Sequence, residues 1–270
     1  RINLIKFCNN FDIVIFESNL RFVDRIFLTI LPWKNYKWVS WGIGLGASYN
    51  KRLGDKDWLR GIRLFLQKKV DANILYSSYP VNVYLKAGIK PDSIFIANNT
   101  VALKAISKPS QNKNTILFLG TIYKQKKLIE LIDAYKDATL ISNISTPLII
   151  IGEGNERKKL ENYVKILNLH KMIIFKGRIE DDYKLSKYFD RALVCISPGQ
   201  AGLSVLNSMA NSVPFITKKN AITGGEIFNI NYNNYKNGII YEDHKELVNI
   251  ICNVNSDKKK YIQMGKRARQ

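Results

Sequence analysis

The chain holds 270 residues, 46% of them hydrophobic and 11% aromatic, which excludes a disordered polymer and leaves room for two ordinary α/β domains or one large one. Lysine and arginine outnumber aspartate and glutamate by 42 to 22, a net charge of +20. A field of that size draws polyanions such as nucleic acid, an anionic membrane or phosphorylated small molecules, although a Lys-, Asn- and Ile-rich composition gives the same excess on solvated faces with no partner.

The opening residues, RINLIKFCNNFDIVIFE, show no signal-peptide pattern. They start on Arg rather than Met and run straight into a strand, so a longer N-terminus is expected. No apolar run reaches the ~18 residues needed to span a bilayer. Cys8, Cys195 and Cys252 have no paired spacing, which points to a reduced, cytosolic setting, with Cys195 a small core residue.

Short apolar runs alternate with helical patterns along the chain. Strands are predicted first at Asp12–Phe16, Lys37–Trp41, Ala72–Tyr76 and Ser93–Ala97. Within this series lies WLRGIRLFLQKK, Trp58–Lys69, which reads as an amphipathic core helix or as a surface for an anionic membrane. The polar stretch Leu103 to Thr115 contains Pro109 and separates two strand–helix series, so the expected domains are 1–108 and 109–270. Further strands are predicted at Thr115–Leu119, Pro147–Ile151, Lys171–Phe175, Ala192–Ser197, Val213–Thr217 and Gly238–Tyr241. The clearest helices are Leu128–Ala138, Glu156–Leu167, Leu203–Asn211 and Lys245–Val254. Continuous Ile/Leu/Val strands such as PLIII belong to parallel sheets buried on both faces, and the βαβα order implies doubly wound sheets.

Five motifs follow strands, where ligands sit in such sheets. In ILFLGTIYKQKK, Gly120 permits close backbone approach, and Lys124, Lys126 and Lys127 suit phosphate or form a solvated cluster. In LIIIGEGNERKK, Gly152 and Gly154 form a strand-to-helix turn with Asn155 as the expected N-cap; a full dinucleotide fingerprint is absent. In IIFKGRI, the backbone after Gly177 and Arg178 suits a nucleobase edge. In SPGQAGLSVLNSMANS, free amides at Leu203 and Ser204 suit a diphosphate, or the segment is a buried turn with Leu203, Leu206 and Met209 at core spacing. In ITGGEIFN, Glu226 after two glycines binds sugar hydroxyls or caps a short helix. His170 and His244 have no ligand partner at metal spacing. No nucleic-acid motif accompanies the charge.

In their order these motifs resemble the GT-B glycosyltransferases, specifically the family 4 group of retaining, nucleotide-sugar-dependent enzymes. That family runs from a strand, Gly, Arg-loop and Lys through IVGxGP, FxGxV and PSxxEGFGLxxLEAMAxGxPVI to GGxxExxxxxxNG. The chain reads LFLGTIYKQKK, IIIGEGNE, IFKGRI, SPGQAGLSVLNSMANSVPFIT and TGGEIFNINYNNYKNG. Upstream, DIVIFES, VDANILYSS and IFIANNTV resemble the later part of the family's N-terminal domain.

The resemblance implies an α/β GT-B fold of two Rossmann-like, doubly wound domains facing a cleft, the N-terminal one incomplete and the C-terminal one holding the donor. It places Lys126 at the diphosphate lysine, Arg178 and Ile179 at the backbone that meets the base, and Gly202, Leu203 and Ser204 at the helix-start amides. Several positions depart from the pattern. The loop arginine is Thr121, the E-x7-E glutamates fall on Gly199 and Asn207, and a frequent N-terminal-domain histidine is Ile43. Glu226 is a candidate for the missing carboxylate. The expected catalytic residues are thus Lys126 and Glu226. The expected substrate-binding residues are Gly120, Thr121, Arg178, Ile179, Gly199, Gln200, Ala201, Gly202, Leu203, Ser204 and Asn207.

The activity implied is retaining, metal-independent, hexosyltransferase-type transfer from a nucleotide-diphosphate sugar to a saccharide or lipid-linked acceptor. The setting implied is bacterial surface polysaccharide or lipopolysaccharide assembly, in the cytoplasm and peripheral to the membrane. No cofactor, metal or nucleic-acid partner is expected. The alternative is a catalytically degenerate nucleotide-sugar binder or partner subunit, favoured by the lost glutamates and by family segments expected before Arg1 and after Gln270.

Overall fold

The computed structural model describes residues 4–31, 34–46, 58–103, 105, 112–231 and 233–269. They fall into two compact units, Arg1–Asn99 and Thr100–Gln270. The expected boundary at 108/109 lies in 106–111, outside the described residues.

In the first unit, β1 (Ile13–Glu17), β2 (Lys37–Gly42), β3 (Ala72–Leu75) and β4 (Ile94–Ile96) form a parallel sheet in that order. The helices are α1 (Leu4–Cys8), α2 (Val23–Ile30), α3 (Arg60–Gln67) and α4 (Val81–Lys86). They pack on the face that bears Trp38 and Leu75, through Cys8 and Leu28 in one cluster and Leu64 and Tyr84 in another. Two of the buried polar groups there are paired: Trp38 Nε1 donates to Thr29 Oγ1 at 2.8 Å, and Tyr84 donates to the Gly44 carbonyl at 2.9 Å. On the other face Ile13, Ile15, Trp41 and Phe95 are exposed. The stretch Trp58–Lys69 yields α3, with Leu66 buried and Trp58, Ile62 and Phe65 exposed.

The second unit is built on six parallel strands. In chain order they are β5 (Thr115–Leu119), β6 (Leu148–Ile151), β7 (Ile173–Gly177), β8 (Ala192–Ser197), then β10 (Phe215–Lys218) and β12 (Gly238–Tyr241). Between these last come the two-residue strands β9 (Gln200–Ala201) and β11 (Ile222–Thr223), which pair with each other. The sheet order is β12-β10-β8-β5-β6-β7. Strands β6 and β8 are buried along their whole length, as continuous apolar runs require. Each such Ile, Val or Leu contributes about 1.5–3 kcal/mol.

Helices cover both faces of this sheet: α5 (Leu128–Ile141), α6 (Arg157–Ile166), α7 (Asp182–Arg191), α8 (Leu203–Ala210), α9 (His244–Ser256) and α10 (Lys258–Ala268). Buried Leu128, Leu131, Ile132 and Tyr135 recur at helical spacing, so α5 lays one stripe on the sheet. Helices α7, α9 and α10 start on aspartates, Asp181, Asp243 and Asp257, whose carboxylates accept first-turn amides. The expected Asn155 cap is not formed. Helix α6 begins at Arg157 with Glu156 at the cap and no side-chain bond, because Gly154 continues a turn whose carbonyl accepts from Arg157 N.

One side chain ties α9 to the segment before β6. Asn255 Oδ1 accepts from Ser145 N (3.0 Å) and Thr146 Oγ1 (3.0 Å), and Nδ2 donates to the Asn143 carbonyl (3.1 Å). Asn255→Leu leaves these groups unpaired, and buried Thr146 cannot turn to water. We expect a loss of about 2 kcal/mol in urea unfolding; a loss under about 0.5 kcal/mol would show that the clamp is dispensable.

Candidate functional site

The strand order places a topological switch point between β5 and β8. From β5 the chain moves outward through β6 to β7, then crosses back to β8 and continues through β10 to β12. The crevice outside the carboxyl ends of β5 and β8 is where ligands bind in open sheets. Two loops meet there, 120–127 after β5 and 198–202 after β8.

In the first loop Lys124–Lys126 form a single 3-10 turn that swings Lys126 inward. The three lysines do not act alike. Lys124 is exposed and Lys127 pairs with Glu130 at 3.4 Å, whereas Lys126 is only 6% exposed. A methyl added at Gly120 would lie 3.2 Å from Lys126 Nζ, so the ammonium sits against that backbone. The Tyr123 ring centroid is 5.8 Å away. Burial pulls the Lys126 pKa down to about 8. The neighbouring Cys195 offers no compensating charge, since its own burial pushes its thiol up to about 12 and keeps it neutral. A buried cation with no carboxylate in ion-pair range among the described residues is suited to an incoming phosphate.

The second loop is locked onto the first. Gly199 N donates to the Lys126 carbonyl at 3.1 Å, and Ser197 Oγ donates to the Gln200 carbonyl at 2.8 Å. A Cβ at position 199 would fall 1.9 Å from the Gln125 carbonyl oxygen. No side chain, glutamate included, fits there with this backbone. The Gln200 side-chain oxygen accepts from the Tyr123 hydroxyl. Gln200 and Ala201 then pair with Ile222 and Thr223 as β9 and β11, a short ladder where the sequence suggested only a turn.

Helix α8 opens on Gly202 with no side-chain cap, so the first-turn amides at Leu203 and Ser204 lack intrahelical acceptors. Ser204 Oγ is buried without a partner. Leu203 is 47% exposed, which corrects its expected core placement; Met209 is buried as expected, and Val205 joins it in the packing. Asn207 donates its amide to the Leu203 carbonyl at 3.2 Å.

Glu226 opens a 3-10 turn, Glu226–Asn229, and is 7% exposed. Its Oε2 accepts from Gly224 N at 3.0 Å and lies 3.4 Å from Thr223 Oγ1. Thr223 Oγ1 in turn accepts from Gly225 N and Ile227 N. The carboxylate thus holds the glycine loop, and through β11 this loop joins Gly199–Ala201. Thr121 is exposed beside Gly120. Arg178 and Ile179 stand apart from this cluster, past the end of edge strand β7. The Arg178 guanidinium pairs with Glu180 at 2.7 Å, and Ile179 packs on the core beneath α7. The carboxyl ends are stitched together, with Gly120 N bonding the Ile151 carbonyl and Gly152 N the Gly177 carbonyl. His244, read as unpartnered, meets the Asp137 carboxylate at 2.7 Å. Among the described residues no three His, Cys, Asp or Glu side chains gather as a metal site.

Sequence reasoning passed over Tyr123, Gln125, Ser197 and Thr223. Only Thr223, directly before Gly224-Gly225, carried a signal, since a threonine there can cap the loop amides.

Residues 101–270 match the family model described as glycosyl transferases group 1. The chain belongs to that family. Over 125 residues it is 22% identical to N-acetyl-alpha-D-glucosaminyl L-malate synthase of Bacillus anthracis, covering 46% of this chain and 32% of that protein. Similar solved structures include a mutant of S. aureus TarM in complex with fondaparinux, alpha-GlcNAc-glycerol and UDP (TM-score 0.69, 18% identity, 90% of this chain and 48% of that one). Anabaena HepE in complex with UDP (TM-score 0.74, 15% identity) is covered to 75% by 98% of this chain. The lipopolysaccharide outer core galactosyltransferase WaaB (TM-score 0.67, 16% identity) is covered to 74% by 98% of this chain. The chain spans about a third of the curated relative's length and about half of TarM's. At such identities the structural likenesses concern the fold, which is the α/β GT-B type expected.

The motif that this chain resembles has a glutamate where Gly199 stands, and the contact that a Cβ would make with the Gln125 carbonyl explains why no side chain fits there with this backbone. Gly199→Ala is expected to lower stability by about 2 kcal/mol and Gly199→Glu by more, with thermal unfolding as the readout. A Gly199→Glu protein as stable as the parent would show that the loop moves freely.

Proposed function

We propose that the protein is a glycosyltransferase that takes a sugar from a nucleotide-diphosphate donor held at the β5–β8 switch point. The observation that carries this is the buried Lys126, without a carboxylate partner among the described residues, on the loop bonded to the segment that opens α8. In this reading Lys126 and the Leu203 and Ser204 amides meet the charge of the leaving diphosphate. The Ser204 hydroxyl is available to donate to a phosphate oxygen, and the Asn207 side-chain oxygen to accept from a hydroxyl of the sugar nucleotide. Backbone at Arg178 and Ile179 meets the base. Gly120, Thr121, Gly199, Gln200, Ala201 and Gly202 shape the pocket, and Glu226 supplies its carboxylate. Charge held by lysine and amides needs no metal. Retention of anomeric configuration follows the family pattern.

The acceptor proposed is a saccharide or lipid-linked saccharide, in surface polysaccharide or lipopolysaccharide assembly. The location proposed is cytoplasmic and peripheral to an anionic membrane. The outward Trp58, Ile62 and Phe65 beside the basic residues of α3 support such a surface. No described helix is long and apolar enough to cross a membrane. A second reading, a nucleotide-sugar binder without turnover, is favoured by the absence of room for a carboxylate at position 199.

Titration calorimetry with UDP-, GDP- and dTDP-sugars tests both readings. Failure of all three to bind would sink the transferase, and binding without donor hydrolysis or transfer would favour the second reading. Lys126→Ala is expected to weaken UDP by at least about tenfold; unchanged affinity removes Lys126 from the site.

The same lysine sets a pH dependence. Only its charged form attracts diphosphate, so UDP affinity should fall as pH rises through about 8, by up to about tenfold per pH unit. Stability runs the other way. The unfolded chain keeps this lysine protonated up to its ordinary 10.5 while the fold favours the neutral amine, so this contribution increases between about 8 and 10.5. Lys126→Ala should remove the affinity trend and only this lysine's share of the stability trend, because buried Lys113, pulled down to about 8 by its own burial, contributes the same rise; a pH-independent UDP affinity in the parent would contradict the assignment.

A further inference from the structure

A groove of about 510 Å³ lies along α7 on the sheet face that this helix covers, away from the loops of the switch point. It begins at Ile179 and reaches Thr115 and Pro147, at the amino ends of β5 and β6. Its floor is apolar, made by Ile149, Ile174, Ile179 and the Tyr188 ring. Its rim is cationic, with Lys184, Lys187 and Arg191 from α7 and Lys176 from the edge strand β7. Among the described residues no acidic side chain lines it.

The arrangement follows from the helix pattern. Lys184, Lys187, Tyr188 and Arg191 recur at i, i+3, i+4 and i+7 and share one stripe of α7, while Leu185 and Phe189 turn to the core. Of the nearby acids, Glu180 pairs with Arg178, Asp181 caps the helix, and Asp190 carries the charge next to buried Lys113. None of the four rim cations takes part in an ion pair among the described residues. A neutral sugar calls for paired donors and acceptors, which this lining does not supply. A bare nucleotide phosphate would satisfy the rim and leave the floor wet. Hydrocarbon on the floor with a phosphate among the cations satisfies both.

We infer that this groove binds one anionic phospholipid of a membrane surface, its acyl chain against Ile149, Ile174 and Ile179 and its phosphate among Lys176, Lys184, Lys187 and Arg191. The inference is independent of the donor reading and stands whether or not nucleotide sugars bind.

Because the whole chain is strongly basic, the test must read the groove itself. The protein carrying 13C-methyl isoleucine is titrated with dihexanoyl phosphatidylglycerol below its micelle concentration. Saturable shifts of the Ile149, Ile174 and Ile179 methyls are expected, at least about tenfold weaker with the choline lipid and absent with inorganic phosphate. Lys184→Gln with Lys187→Gln should weaken binding at least about fivefold, whereas the same neutralisation at exposed Lys245 and Lys259 should not. Absent methyl shifts, equal binding of the choline lipid, phosphate matching the lipid, or equal loss in the control pair would each overturn the inference. So would an oligoglutamate peptide that moves the same methyls at lower concentration, since the occupant would then be an acidic protein segment.

Discussion

The hydrogen bond from the Gly199 amide to the Lys126 carbonyl, 3.1 Å long, is the constraint on which the candidate site depends. It arises because β5 and β8 are neighbours while their connections run to opposite sides of the sheet, so that the loops at their carboxyl ends face each other. Without a Cβ at position 199 the backbones close to bonding distance. That closure buries Lys126 and carries the chain into β9, whose pairing with β11 sets the glycine loop held by Glu226. Lysine, helix start and acidic loop are therefore parts of one backbone network. A change at any one is transmitted through main-chain bonds, which bend little, rather than through side chains that repack.

Charge in this protein works at two scales. Most lysines are exposed, and pairs such as Lys219 with Glu242 add little to stability because water screens them. Their sum still produces a field that concentrates anions near the surface. Lys126 is different in kind. Its ammonium has lost water without gaining a carboxylate among the described residues, so the fold bears a desolvation cost that an anionic ligand would relieve. A lysine of ordinary pKa would remain charged throughout the neutral range, whereas one near 8 has its charge state coupled to occupancy.

The sequence disclosed the strands well, because isoleucine-rich runs buried on both faces leave little choice of element, and each predicted strand lies within two residues of an observed one. The sequence placed the motifs after strands, but the switch point between β5 and β8 came only with the sheet order. What stayed hidden depended on contacts between segments distant in sequence. Gly199 reads as a loss when compared with a motif, and only the Gln125 carbonyl 1.9 Å from its absent Cβ turns it into a requirement. The three lysines at 124, 126 and 127 look equivalent until a single 3-10 turn buries the middle one. The groove beneath α7 was illegible for the same reason: its floor comes from β6 and β7 and its rim from a helix whose cations read as an ordinary solvated face.

These facts bear on what a GT-B site can do with glycine and asparagine in place of two glutamates. In the proposed reading diphosphate charge would be met by main-chain amides and one lysine, neither of which the replacements touch. The losses fall on the sugar and the ribose. Placed at a ribose, as proposed, Asn207, whose amide donates one hydrogen to the Leu203 carbonyl, would present a neutral acceptor, weaker toward a hydroxyl than a carboxylate. At the sugar, position 199 cannot contribute a side chain at all, and the nearest buried acid in the network, Glu226, is engaged with Gly224 and Thr223. A carboxylate used in this way shapes the loop before it touches any ligand, so removing it would disturb fold and pocket together. Selectivity among sugars would then rest on shape and on the Gln200 amide beside Tyr123 more than on charge, a site that tolerates neutral variation in the sugar while holding firmly to the diphosphate.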